Sequence, residues 1–282
     1  MSKAKALGQH FLTDRSILRK IIDILNPKAE ELIIEIGAGK GSLTFPLAER
    51  SGKVFAIERD KDLVPFLREG NRKNLVVLEG DVLGVDFRAL VAGEMAFAGK
   101  VKVAGNLPYS ISSPLLFKIL KDKDLFSACV FLLQKEVAER LAAKPGSKAY
   151  APLSILFQLH FDIRLRFTLA PGSFAPPPKV QSTLVSLEKR PAPLFVIRDE
   201  DGLRRLLRAA FAQRRKTLLN NLKSMPLAPG LLQETFRRLG LKETIRAEQL
   251  TILQFVALFE LLGPSLDFHR QPFGKGKATS KV

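Results

Sequence analysis

The chain of 282 residues has no tryptophan, two tyrosines, three histidines and one cysteine, Cys129. A single thiol cannot close an internal disulfide, which excludes the disulfide-stapled scaffolds. Lying in the apolar run 128–133, it reads as a buried, inert thiol of a reducing cytoplasm. His10, His160 and His269 stand far apart and no Cys/His cluster has metal-ligand spacing, so no metal is expected. Long apolar runs are also missing. None approaches the ~20 residues that a membrane helix needs, and Met1-Ser2-Lys3-Ala4-Lys5 has no apolar signal core. Acidic residues are few, 28 against 45 Lys and Arg, which leaves a net charge of +17. That excess calls for a polyanionic partner. With no basic helix that also exposes an apolar face, nucleic acid is favoured over a membrane surface.

What the chain does contain is a series of apolar strands, each ending in a polar group. Leu32 to Ile36 reads as a buried strand that runs into Gly37-Ala38-Gly39-Lys40-Gly41, a turn in which the backbone can approach a ligand closely. Glu35 lies two positions before the first glycine. A second strand, Val54 to Ile57, is followed by Glu58, about twenty residues beyond Gly37. At that place a carboxylate can accept both hydroxyls of a ribose. The alternative for Glu58 is a surface cap on a helix from Asp60 to Glu69. A third strand, Leu75 to Leu78, leads to Glu79-Gly80-Asp81, where Asp81 is either a turn residue or an acceptor for an adenine amine. The fourth, Val101 to Ala104, runs through Gly105 into Asn106-Leu107-Pro108-Tyr109. Polar tips on successive strands fit a parallel sheet that binds ligands along its carboxyl edge.

The Asn106 stretch suits work on an exocyclic amine. The lone pair of such an amine is delocalised into the base. Two acceptors, the Asn106 side chain and a nearby backbone carbonyl, would each take an N–H and draw the nitrogen towards a tetrahedral shape. Pro108 stiffens the backbone and Tyr109 offers a face for the base. The bland alternative is a strand end with an Asn-x-Pro turn. Further along, Phe174-Ala175-Pro176-Pro177-Pro178-Lys179-Val180 is a stiff extended loop. Phe174 has two possible uses, stacking on the other face of the base or filling the core below the loop.

Asn-Leu-Pro-Tyr, Phe-x-Pro-Pro-Pro-Lys-Val and Gln213-Arg214-Arg215-Lys216 together resemble the ribosomal RNA adenine N6,N6-dimethyltransferases. So do Gly8-Gln9-His10-Phe11-Leu12, where the family has Asn in place of His10, and Ser147-Lys148-Ala149-Tyr150. The resemblance spans about residues 5 to 262. It implies a Rossmann-like class I S-adenosylmethionine-dependent methyltransferase domain, α/β, with a small all-helical C-terminal domain. The cofactor is then S-adenosylmethionine, held by His10, Leu12, Glu35, Gly37, Gly39, Glu58, Asp81 and Asn106. Asn106, Leu107, Pro108, Tyr109 and Phe174 form the catalytic group, with stacking the favoured use of Phe174. The implied reaction is dimethylation of two adjacent adenosines near the 3′ end of 16S rRNA in the small ribosomal subunit, by a cytoplasmic monomer without a metal. A large-subunit adenosine target, a DNA adenine target and a non-catalytic assembly or transcription factor on the same fold are the competing readings.

Two prolines in 189–193 mark a boundary, giving a methyltransferase domain over 1–193, a helical RNA-binding domain over 194–268 and a disordered basic tail over 269–282. Helical patterns follow over 203–212, 216–222, 231–239 and 250–262. From Val196 onward there are 16 basic and 8 acidic residues. The densest block is Arg214-Arg215-Lys216, either a solvated helix end or a contact for RNA phosphates, which is the use expected here. The polar turn 144–150 is read either as facing substrate or as a solvated loop.

Overall fold

The computed structural model describes residues 9–12 and 14–263; Gly8, Thr13 and the tail 269–282 lie outside them. The chain divides into two compact units, one of residues 1–144 and 153–194, the other of 145–152 and 195–282.

The first unit is built on a seven-stranded sheet of order β4-β3-β2-β5-β6-β9-β7. β2 (Leu32–Ile36), β3 (Lys53–Glu58), β4 (Leu75–Glu79), β5 (Val101–Asn106) and β6 (Phe126–Gln134) are parallel. β9 (Ser182–Lys189) and β7 (Phe161–Leu169) complete it antiparallel. Strands of a parallel sheet are covered on both faces and so read as continuous apolar runs; every residue of β2 is buried. The covering helices include α1 (Arg15–Leu25), α2 (Thr44–Arg50), α3 (Val64–Glu69), α4 (Phe87–Ala92), α5 (Ser112–Lys121), α6 (Lys135–Leu141) and α7 (Pro152–His160). α1 shows why these segments are helical. The Asp14 side chain accepts from the Ser16 and Ile17 amides at its start, Asn26 takes the left-handed conformation at its end, and Ile17, Ile21, Ile22 and Leu25 form the buried stripe. The segment 60–69 is helical only from Val64. Cys129 is fully buried in β6, and burial pushes its thiol pKa up.

A separate two-stranded ribbon pairs β1 (Phe11–Leu12) with β8 (Phe174–Ala175), antiparallel, with Phe11 opposite Ala175 and Leu12 opposite Phe174. This pairing corrects one expectation. Phe174 is only 4% exposed and belongs to the core cluster with Leu12, Ile17 and Leu184. Its position opposite Leu12 in the ribbon turns the ring inward, so it fills the core and offers no face to a base.

The second unit holds α8 (Glu200–Ala210), α9 (Leu218–Leu222), α10 (Leu231–Arg238) and α11 (Ile252–Leu262) around Leu203, Leu206, Leu207, Phe255 and Leu258. Phe211 stacks on Phe255, with ring centroids 5.7 Å apart. The turn 144–150, expected to face substrate or solvent, belongs here from Pro145 onward, as part of the segment 145–152. Tyr150 is buried against Phe211, and the Gly146 amide donates to the Glu248 carbonyl at 2.6 Å. Arg214 contributes to the same join, donating to the Lys148 carbonyl at 2.6 Å with Glu248 Oε2 at 3.5 Å.

Candidate active site

β2, β3, β4 and β5 end side by side, so their tips open on one edge of the sheet. A pocket there is lined by His10, Gly37, Gly39, Glu58, Asp81 and the whole run Asn106 to Tyr109. A second recess below the glycine turn shares Phe11, Gly37, Gly39 and Asn106 with the first and adds Glu35 and Leu12. Eleven of the predicted residues therefore line these two adjoining recesses. Leu12 contributes a side chain buried in the core. Phe174 lines neither recess, and Arg214, Arg215 and Lys216 belong to the second unit.

Glu58 ends β3 and is 3% exposed. Its Oε2 accepts from the Gly39 amide at 2.7 Å and its Oε1 from the Asp60 amide at 2.8 Å, with Gln9 Nε2 at 3.5 Å. Two charge-assisted bonds fix the carboxylate plane, and each oxygen keeps acceptor capacity for a further donor. Gly39 has φ +56°, and a Cβ on it would come within 3.1 Å of the Phe11 ring. A side chain there would strain the backbone and require the Phe11 ring to shift by a few tenths of an ångström. Asp81 accepts from the Leu83 amide at 3.0 Å and leaves its other oxygen 3.8 Å from Arg59.

Glu35 is different in kind. It is fully buried, and its Oε2 has no hydrogen-bond partner among the described residues. Burial drives its pKa up to about 8; the Thr44 hydroxyl opposes the shift and the charge of Glu58 adds to it. A buried acid with one oxygen unpartnered is a costly feature to retain in a core strand. It is what a site for a ligand bearing a cationic or hydrogen-bonding group looks like when viewed from the protein side. Together with the Glu58 carboxylate and Asp81, the lining fits a nucleoside with a polar, charged tail.

The Asn106 motif is fixed from four directions. The Leu107 amide donates to the Leu132 carbonyl at 3.2 Å, which anchors the motif to β6. The Pro108 carbonyl accepts from the Ile111 amide at 3.1 Å and from the Ser112 hydroxyl at 3.1 Å. The Tyr109 hydroxyl meets Ser182 Oγ of β9 at 2.6 Å, and burial raises its pKa against the opposing effect of that bond. Most informative is Asn106 Nδ2, which donates to the His10 carbonyl at 2.6 Å. A carbonyl can only accept, so the amide nitrogen must face His10 and Oδ1 must face away from it. Among the described residues neither Asn106 Oδ1 nor the Leu107 carbonyl accepts a hydrogen bond. Two acceptors of adjacent residues are left open.

His10 ties these parts together. Its ring Nδ1 lies 2.7 Å from the Pro176 carbonyl and must carry a proton to donate to it; the ring also sits 5.4 Å from that of Tyr109. Gln9, Ser182 and Pro176 were not anticipated as site residues. Each acts across a long stretch of sequence; Gln9 and Pro176 lie inside motifs singled out above, whereas no local pattern marks Ser182. Gly105 did carry a signal that could have been used. A Cβ there would lie 2.5 Å from the Ile36 carbonyl, so only glycine lets β5 bring Asn106 this close to β2.

Comparison with known proteins gives the family. A family model described as ribosomal RNA adenine dimethylase matches residues 1–263. A ribosomal RNA small subunit methyltransferase A from Geobacter metallireducens is 45% identical over 258 residues, covering 90% of this chain and 93% of the relative. Its counterpart from Geobacter sulfurreducens is 46% identical over 260 residues, with the same coverage. Among solved structures, a dimethyladenosine transferase from Plasmodium falciparum superposes with a TM-score of 0.78 at 28% identity, covering 91% of this chain and 98% of that one. The 23S rRNA methyltransferase ErmE superposes at 0.68 and 21% identity, covering 90% and 99%, a likeness of fold alone. With its strand-tip pocket, its Asn-Leu-Pro-Tyr motif and a match along almost its whole length, the chain belongs to the ribosomal RNA adenine dimethylase family.

Proposed function

We propose that the chain transfers methyl groups from S-adenosylmethionine to the N6 amines of two adjacent adenosines near the 3′ end of 16S rRNA. It would act within the small ribosomal subunit or its precursor, as a cytoplasmic monomer without a metal. Among the described residues, no helix is long and apolar enough to cross a membrane.

In this reading Glu58 receives the ribose hydroxyls, Asp81 the adenine amine, and Glu35 and the glycine turn the tail of the cofactor. The cofactor supplies an electrophilic methyl group on a sulfonium, already a good leaving group. The protein's part is alignment and charge placement. The target base is turned out of its stack and seated against Tyr109. Its two N–H bonds point at Asn106 Oδ1 and the Leu107 carbonyl, which draws the nitrogen lone pair out of the ring. Once methylated, the nitrogen is acidic enough to lose a proton without a strong base. The second methyl transfer uses the same acceptors with one N–H fewer.

The observation that supports this reading most is the bond from Asn106 Nδ2 to the His10 carbonyl, which turns Oδ1 away from His10 and leaves it free to accept. The test is incubation with labelled S-adenosylmethionine and unmethylated small subunits, large subunits or DNA, followed by nucleoside mass spectrometry. Dimethyladenosine in the small-subunit sample alone is expected. Label in large subunits or DNA alone, or in none, would refute it.

A further inference from the structure

Beside the β1–β8 ribbon the first unit has a groove of about 780 Å³, lined by Phe11, Leu12 and Ala175 of that ribbon and by residues of α1 and α2. Its volume lies in the range of small-ligand sites, about 300–1,000 Å³. Its floor is apolar, formed by Leu12, Leu18, Ile22 and Pro46, and its rim carries Arg15, Arg19 and Lys40. Phe11 lines both this groove and the strand-tip pocket, and Phe11, Leu12, Leu18, Lys40 and Ser42 are shared with the recess below the glycine turn, so the groove adjoins the site.

The charges on the rim are unbalanced. Of the other charged residues there, Arg50 is held by Asp23 at 3.1 Å and Glu49 by Arg72 at 2.8 Å. Arg15, Arg19 and Lys40 are exposed, and among the described residues none of them has an acidic partner. Lys40 instead holds its ammonium 5.8 Å from the Phe11 ring centroid. Arg15 and Arg19 are four residues apart on α1, so both guanidinium groups stand on one helix face. Three uncompensated cations around a concave apolar surface concentrate positive potential. Guanidinium groups suit phosphate oxygens, and the apolar floor suits the faces of sugars and bases.

We infer that this groove is a subsite for the single-stranded rRNA next to the target adenosine, with Arg15, Arg19 and Lys40 on its phosphates. The inference rests on the rRNA reading above. It gives the first unit its own hold on RNA, which matters because Arg214, the first member of the basic block, is engaged with Lys148 and Glu248.

The test uses the full chain and the double variant Arg15→Gln/Arg19→Gln. Binding to unmethylated small subunits, and to a single-stranded oligoribonucleotide carrying the target sequence, is measured over a series of salt concentrations. Two lost phosphate contacts lower the slope of log affinity against log salt by about 1.4, and at about 0.1 M salt weaken binding roughly 25-fold. S-adenosylmethionine affinity should not change, and Arg15→Lys/Arg19→Lys should keep the slope. Wild-type affinity and slope in the glutamine variant would overturn the subsite. So would a loss seen with particles but not with the oligoribonucleotide, or an equal loss in the lysine variant. Failure of the wild-type protein to methylate the same small subunits would count against the rRNA reading itself, separately from the groove.

Discussion

Replacing Glu35 by glutamine isolates the most expensive group in the site. In the fold its carboxyl is buried and its pKa stands at about 8, against 4.5 for the ordinary side chain. Below pH 4.5 both folded and unfolded chains hold the proton. Between 4.5 and about 8 the unfolded chain releases it and the folded chain keeps it, so the residue's contribution to stability falls as pH rises, and levels off above about 8. The gap corresponds to roughly 5 kcal/mol at most. Glutamine keeps the shape and cannot titrate. Whatever constant amount its amide adds, the variant should gain on the wild type from pH 4.5 to 8 by several kcal/mol. Urea denaturation of the cofactor-free proteins, followed by circular dichroism at steps across that range, measures the difference. A variant-minus-wild-type difference that stays flat with pH would mean that Glu35 is ionised in the fold, and the reasoning from its missing partner would fail. In the same variant, affinity for S-adenosylmethionine should drop, because the orphaned acceptor is the group assigned to the ligand.

Glu58→Ala removes a carboxylate held by the Gly39 and Asp60 amides, and should weaken S-adenosylmethionine binding by about 1.5–3 kcal/mol, at least tenfold by calorimetry. Phe174→Ala should lower stability by about 3–5 kcal/mol, as for a core aromatic; a large rate loss at unchanged stability would restore it to the catalytic group. Neutralising Arg215 and Lys216 should flatten the salt dependence of binding to small subunits, whereas Arg214→Ala should first loosen the 145–152 segment, seen as faster amide exchange there. Unchanged exchange in Arg214→Ala would return that residue to the RNA surface.

The sheet was legible because its strands are short apolar runs with Glu35, Glu58, Asp81 and Asn106 at or near their ends, and the central ones are buried on both faces. Function was legible at the same tips, since close backbone approach and side-chain acceptors are local features. What could not be read is pairing between distant segments. Nothing near Phe174 indicates that its ring turns inward, because that depends on Leu12, its partner in the ribbon. Arg214 looked free because the Lys148 carbonyl and Glu248 are remote in sequence. Tyr150 joined the second unit through Phe211, a contact that a polar turn does not advertise. The orientation of the Asn106 amide, on which the proposed chemistry turns, depends on a carbonyl 96 residues away.

That orientation can be tested by single-turnover methylation of small subunits by Asn106→Ala at saturating S-adenosylmethionine. Removing Oδ1 takes away a preorganised acceptor worth roughly 2.7–4 kcal/mol, by analogy with the loss of one oxyanion-hole donor. The expected rate is lower by about a hundredfold or more, with RNA binding retained. A rate near that of the wild type would mean that the amine is activated without Asn106, and would contradict the role assigned to the whole Asn106 to Tyr109 run.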